Sequence, residues 1–509
     1  MKNGLIVGSI SGVVQVALNA FLTVATVSIA LKVLGIDLFG VFTLLSLINN
    51  LGGIANLGLN ASLVKHLAEQ GRGNESNLDI IVSFVLLGCV VGGVTALALW
   101  GEKTMLSVVL QIPTAYVNDA SRWCFRFFLA SNAIVLLGQI PAAVLDSMGL
   151  VYLTNGLQIL YAVSNRGVVL LLLWISPRLD LLGAGTLVAT FIWCLITILV
   201  AKRHWGSIRA VKATENVPRV LTKHLAYGGK IYAGNIVGMI FEPLNKLLIA
   251  RFIGLSFVVS FDVALRVKGL LLSMLERLVY PLLPKLASIS DEDRIRKIVE
   301  DVERLLIPMI VAAGVTTAWL SRSIVEVWLN ISAEQYSESI VVVVLGYLLA
   351  LIFLPFYQFL LVKGHPGKTV ILQVTNVIVN LVTFAVFVPL QGYRGALVAF
   401  GLALLNSFVL CAVFQSRILR PPPFANPRFV FSIILLAVLL VCVDAGVSRI
   451  VANPLVQLLS IPIVNAGMSL VFVRTTRIIR AEDLRRIVSP DSRLFRFLHT
   501  VFVASHTKA

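Results

Sequence analysis

Charge is scarce in this sequence. Only 13% of its 509 residues are Asp, Glu, Lys or Arg, while 58% are hydrophobic. Soluble domains carry about 25% charged residues, so a water-soluble globular fold is excluded. Alternating apolar segments of ~10 residues are missing too, which excludes a transmembrane β-barrel. Cysteine is sparse. Cys89, Cys124, Cys194, Cys411 and Cys442 all fall inside apolar runs, with no C-x-x-C. They read as free buried thiols and not as a disulfide framework. The six histidines are scattered and form no H-x-x-x-H pair. No metal signature and no catalytic-triad signature is visible. "GHPGKT" (364–369) lacks the glycine a P-loop requires five residues before its Gly-Lys-Thr triplet; Val362 stands there. It reads as a turn followed by cytoplasmic positive charge.

Apolar runs are what the chain has in abundance. Mean hydropathy is +0.93, and stretches of 18 or more apolar residues, long enough to cross a bilayer, recur throughout. Fourteen spans are expected near 4–31, 38–63, 80–100, 123–145, 151–175, 181–201, 228–250, 255–283, 305–329, 339–362, 369–390, 394–416, 429–448 and 454–473. The first lacks a cleavage-like end and reads as a span, not a removed signal peptide.

The net charge of +17 follows topology. Of the 42 lysines and arginines, 28 fall on one set of alternate loops with the termini, nine on the other set, and five inside spans. By the positive-inside rule both termini are expected in the cytoplasm. The basic excess then reports contact with anionic lipid, and nucleic acid is not an expected partner. The segment 291–306 has apolar residues at Ile295, Ile298, Val299, Val302 and Leu306. That spacing predicts an amphipathic helix on the membrane surface.

The chain repeats itself. "KVLGIDLFGVF" (32–42) aligns with "RFIGLSFVVSF" (251–261) at an offset of 219, and "GTLVA" (185–189) with "GALVA" (395–399) at 210. The expected organisation is an N-lobe at 1–201, a cytoplasmic linker at 202–227, and a C-lobe at 228–416. Spans 13 and 14 follow at 417–474, with a basic cytoplasmic tail at 475–509. Six spans per lobe make the repeats parallel, an arrangement that suits transporters with a site between the lobes.

Buried charge marks the candidate site. In span 7, Asn235, Gly238, Glu242 and Lys246 share one stripe at 100° per residue, with Pro243 between the charged pair. In span 8, Asp262, Arg266, Gly269, Ser273 and Arg277 share another. A charge at the bilayer centre costs roughly 2.5–3.5 kcal/mol even on the gentler scales, so such residues usually face a wet interior. The bland reading is that Glu242 and Lys246 merely pair at i,i+4. The first half supplies amides and one cation: Gln15 and Asn19 in span 1, Asn50 and Asn60 in span 2, and Asn155, Gln158 and Arg166 in span 5. Span 11 adds Gln373, Asn376 and Asn380. Any single amide is as well explained by an interhelical hydrogen bond of about 0.6 kcal/mol. Taken together they predict a polar cavity that leans basic. Arg166, Lys246 and Arg266 suit a phosphate or diphosphate, and the amides suit sugar hydroxyls.

The stretch "LKVLGIDLFGVFTLLSLINNLGGIANLGLNASLVKHLAE" (31–69) carries an L-G-x-x-x-F-G turn and a "dlGl"-like exit with Asn56 in the usual acidic place. With 228–267 it resembles the Wzx-type polysaccharide and O-antigen flippases of the multidrug/oligosaccharidyl-lipid/polysaccharide exporter superfamily. The resemblance implies an all-α polytopic fold, two six-helix bundles in a V with two further C-terminal helices. It implies movement of a polyprenyl-diphosphate-linked saccharide from the cytoplasmic to the outer leaflet of the inner membrane by alternating access. No cofactor is implied beyond a coupling ion, proton or sodium. The implied partners are membrane lipids and the polysaccharide polymerase machinery. The family's central basic residues correspond to Lys246, Arg266 and Arg166. The alternatives are a cation-coupled drug or metabolite antiporter of the same superfamily and a lipid II flippase. An enzyme of envelope polysaccharide assembly is disfavoured by the short external loops.

Overall fold

The structure is a computed structural model. It describes residues 2–48, 58–206, 217–279, 289, 291–331, 334–363, 366–419 and 421–476, of which 2–14 and 225–236 are described almost entirely through their backbone. Among the described residues there are helices and no strands. Among the described residues, eleven helices are long and apolar enough to cross a membrane. The helices carrying Glu242, Lys246, Asp262 and Arg266 are not among the eleven, and the expected second span, 38–63, lies partly outside the described residues. Internal packing divides the chain into two compact units, Met1–Val259 and Ser260–Ala509.

The first unit begins with α1 (Lys2–Leu45), whose regular helix is interrupted at Gly35, φ 76°. Then come α2 (Leu59–Gln70), α3 (Asn74–Trp100), α4 (Asp119–Ser147), α5 (Val151–Ile175), α6 (Leu179–Trp205) and α7 (Val217–Phe252). Gly254, φ 140°, separates α7 from α8 (Leu255–Val279). The 219-residue offset lays Gly254 over Gly35. Both carry positive φ, which a residue with a Cβ adopts only at a cost.

Helices α4 and α6 pack closely because Gly183 lets them. A Cβ added there would stand 2.9 Å from the Cα of Cys124. Without a hydrophobic drive between helices in lipid, small residues that admit such contact supply the association. Leu59, Leu63 and Leu67 of α2, Ile80 and Leu87 of α3, and Leu136, Ile140 and Val144 of α4 form one apolar cluster. Asn118 caps α4 in a reciprocal box with Ser121, accepting from its backbone N–H at 3.0 Å.

In the second unit, α9 (Glu292–Leu329) is one unbroken helix of 38 residues, capped by Asp291. Its first turns are the segment expected to lie on the membrane surface. Instead Ile295, Ile298, Val299, Val302 and Leu306 are all buried inside the protein. A helix packed on its neighbours needs the same apolar stripe as one lying on lipid. The expected tenth span is two pieces, α10 (Glu334–Leu351) and α11 (Leu354–Val362). Pro355, at the start of α11, lacks the N–H that would continue the ladder. Next are α12 (Pro366–Gln391), α13 (Tyr393–Ile418), α14 (Pro427–Ile450) and α15 (Pro454–Thr476). Helices α9, α14 and α15 pack together around Ala312, Leu436, Leu440 and Phe472.

Candidate functional site

The turn 242–246 of helix α7 places a proline, an amide and two charged residues together. Pro243 removes a backbone donor in mid-helix. In the turn it loosens, the side-chain amide of Asn245 donates to the Phe241 carbonyl at 2.8 Å. Lys246 follows directly and is only 6% exposed. Glu242, one turn earlier, is half-buried. Both charged groups have interaction partners within the protein. The helix therefore holds an ammonium inside the protein next to a local weakness in its own ladder.

In α8 the expected pair is formed. Arg266 Nε donates to Asp262 Oδ2 at 2.6 Å, with Asp262 buried and Arg266 partly open. Lys268 points away from that stripe and lies over the Tyr347 ring at 4.2 Å, a cation–π contact. Helix α8 thus presents a guanidinium neutralised on one side and still reachable on another.

The amides of the first unit are also brought together in part. Gln15 of α1 donates to Gln158 of α5 at 2.5 Å. At Asn19 the backbone carbonyl, not the side-chain amide, accepts from Thr23 Oγ1 at 2.6 Å. Arg166 lies further along α5, half-buried and engaged. Asn60 is taken up by Gln139 of α4 at 2.7 Å, the interhelical role that the bland reading assigns to such an amide. Asn376 of α12 accepts from Asn406 of α13 at 2.9 Å. Asn50 and the side chains of Asn235 and Arg277 lie outside the described residues.

Three buried polar groups lie beyond what the sequence reading foresees. His224, at the start of α7, has its Nδ1 2.8 Å from Ser62 Oγ and its Nε2 3.7 Å from Asp79 Oδ1. Hydroxyl, imidazole and carboxylate make the composition of a hydrolase triad. Ser62 is 0% exposed and His224 and Asp79 are each 1% exposed, so a substrate has no approach and the group fastens α7 to α2 and α3. Second, Gln415 of α13 donates to Glu303 of α9 at 2.8 Å, both buried. Third, Asn465 of α15 bridges Thr316 of α9 and Asp444 of α14. A lone Asp in the apolar run 427–450 is the available signal for the last. Histidines 66 and 224, far apart in the chain, offer none.

Residues 159–341 match a family described as "Polysaccharide biosynthesis protein". Among solved structures, "Lipid II flippase MurJ, inward closed conformation" has a TM-score of 0.65 at 14% identity, covering 92% of this chain and 98% of that chain. An outward-facing multidrug resistance MATE family transporter of the MOP superfamily has a TM-score of 0.58 at 12% identity, covering 81% of this chain and 95% of that chain. The Vibrio cholerae MATE transporter VcmN in its bent form has a TM-score of 0.54 at 15% identity, covering 81% and 97%. No curated protein matches the chain in sequence. The all-α polytopic fold expected from the apolar runs is the fold of these transporters. The charged turns of α7 and α8 fall within the matched 159–341.

Proposed function

We propose that this chain, a multi-pass membrane protein with the fold of the multidrug and lipid-flippase exporters, is a flippase for a polyprenyl-diphosphate-linked saccharide. The observation that carries the reading is Lys246, an ammonium buried in α7 inside the segment that matches the polysaccharide biosynthesis family. A buried ammonium is costly, and a doubly charged diphosphate is a ligand that offsets the cost when it binds. Pro243 gives α7 a place to bend as the diphosphate is passed from one leaflet to the other. Glu242 neutralises Lys246 between substrates. Arg266, with one side committed to Asp262, is the second cation for the diphosphate, and Arg166 the third. Gln15, Asn19, Asn50 and Asn235 offer amides to sugar hydroxyls.

The proposed setting is the cytoplasmic membrane with both termini inside, which the charge asymmetry of the loops supports. The proposed movement is outward, ahead of the polymerising machinery. Coupling to a proton or sodium gradient supplies the direction.

The test compares a strain lacking this protein with strains carrying wild type or Lys246→Ala. Polyprenyl-diphosphate lipids are extracted and analysed by mass spectrometry. A sugar-loaded carrier accumulates in the deletion, wild type clears it, and Lys246→Ala does not. Unchanged lipids with lowered resistance to toxic cations would replace this reading with a cation-coupled drug or metabolite antiporter.

A further inference from the structure

We infer that α9, α14 and α15 hold a binding site for one monovalent cation, Na+ or H+, centred on Asp444. The site shares no residue with the one proposed around Lys246 and Arg266 and does not depend on what the protein transports.

Asp444 is 0% exposed in a membrane helix. Among the described residues no Lys, Arg or His pairs with it. Its Oδ2 accepts from the Asn465 amide at 3.2 Å, and the same amide donates to Thr316 Oγ1 at 2.8 Å. Asp444 Oδ1, Asn465 Oδ1 and Ser469 Oγ are all buried and have no hydrogen-bond partner. Ser469 is one turn beyond Asn465 on α15. Three helices thus bring together a buried carboxylate, a buried amide and two half-buried hydroxyl side chains, with buried oxygen atoms left over and, among the described residues, no paired positive charge. A buried carboxylate either takes a proton or neutralises its charge against a cation. Carboxylate, amide carbonyl and hydroxyl oxygens are the donor set that hard cations prefer. Asp444 and Asn465 sit against the dry layer of Leu436, Leu440, Ala312 and Phe472, which closes the site toward that end.

Toward the other end the same three helices carry a run of polar contacts. Trp319 of α9 donates to Ser448 of α14 at 2.7 Å. Ser323 of α9 donates to Gln457 of α15 at 3.3 Å, and Gln457 donates to the Val451 carbonyl at 2.7 Å. Thr316, Trp319 and Ser323 are spaced three and four apart on one face of α9, and Asp444 and Ser448 four apart on α14. This ladder runs from the buried oxygens to the α14–α15 turn at 451–453, an entry route for a small ion. Other ionisable groups on these helices do not compete. Arg322, Glu326 and Arg449 are exposed, Arg304 is 12 residues before Thr316, about 18 Å along α9, and Arg474 is nine residues beyond Asn465, about 13 Å along α15.

The test uses full-length protein in lipid nanodiscs without any saccharide. Wild type, Asp444→Asn and Ser469→Ala are compared for binding of radioactive sodium in alkaline and in mildly acidic buffer. Unfolding temperature is read in NaCl and in choline chloride across the same pH range. Wild type is expected to bind sodium saturably, about tenfold more weakly where protons compete, a loss equal to one factor of ten in Kd. Asp444→Asn is expected to abolish binding, and Ser469→Ala to weaken it several-fold. If H+ is the only ligand, no sodium binds, the wild-type unfolding temperature in choline chloride changes with pH, and Asp444→Asn removes that change. Sodium binding or pH response unaltered by Asp444→Asn overturns the site, as does the absence of both in wild type. Should Asp444→Asn fail to fold, wild-type behaviour in Ser469→Ala overturns it. Because no saccharide is present, failure here leaves the flippase reading standing, and failure of the lipid analysis leaves this site standing.

Discussion

The Ser62 hydroxyl and the His224 ring nitrogen meet at 2.8 Å, across 162 residues of chain, in a place no solvent reaches. His66 packs edge-on against the same ring at 5.5 Å. One contact thus fastens the start of α7, the helix of Lys246, to α2. Removing one partner of a buried hydrogen bond costs about 1–3 kcal/mol, since the other is left without water or partner. His224→Ala is expected to lower the unfolding temperature of detergent-solubilised protein. Ser62→Ala is expected to lower it less, because Asp79 remains beside the ring. An unfolding curve for His224→Ala that overlays wild type would show that the contact contributes nothing.

At Lys246 the expected signature separates charge from volume. Lys246→Met keeps the length of the chain and loses the ammonium. The variant should reach the membrane at wild-type levels and leave the sugar-loaded lipid uncleared. Lys246→Arg should recover part of the activity, since guanidinium also binds phosphate but with a different fork. Full activity in Lys246→Met would move the diphosphate contact elsewhere.

The Asp262–Arg266 pair makes a different prediction. Asp262→Ala strands Arg266 beside a buried face and should destabilise by about 1.5–3 kcal/mol, the range for hydrogen bonds to charged groups. Asp262→Ala combined with Arg266→Ala should cost less than the sum of the two single changes. A double-mutant cycle on unfolding free energy measures the coupling, and strict additivity would mean that the pair contributes no stability.

Gly183→Leu should fail for reasons unconnected with transport. The added carbons would stand against the Cys124 backbone, 2.9 Å from the first of them. Overpacking of this kind typically costs about 1–3 kcal/mol, and here it also pries α4 from α6. The expected result is a monodisperse peak lost in size-exclusion chromatography, with Gly183→Ala intermediate.

What is legible in the sequence is what short-range periodicity encodes. Asp262 and Arg266 stand four apart, and helix geometry alone puts them in contact. Gly35 and Gly254 are alignable letters before they are two positive φ angles. The amide pair Gln15–Gln158 is visible only as two polar stripes, because nothing in either helix says which other helix it will face. His66 and His224 read as scattered for the same reason. The segment 291–306 misleads in another way, since an apolar stripe specifies that something covers it and not whether the cover is lipid or protein. Asp444 stands in a helix that reads as generic, though it is the costliest letter in that run.

Helix α9 also has a mechanical meaning. At 1.5 Å per residue its 38 residues reach about 57 Å, while a bilayer's hydrocarbon core is about 30 Å thick. Roughly half of the rod therefore stands clear of the hydrocarbon, stiff on both sides of its single internal proline, Pro308. A load applied to the water-facing turns has one joint at which to be absorbed. What that joint does not absorb arrives as tilt at Thr316, eight residues beyond the proline on the same helix, and so at the oxygens around Asp444.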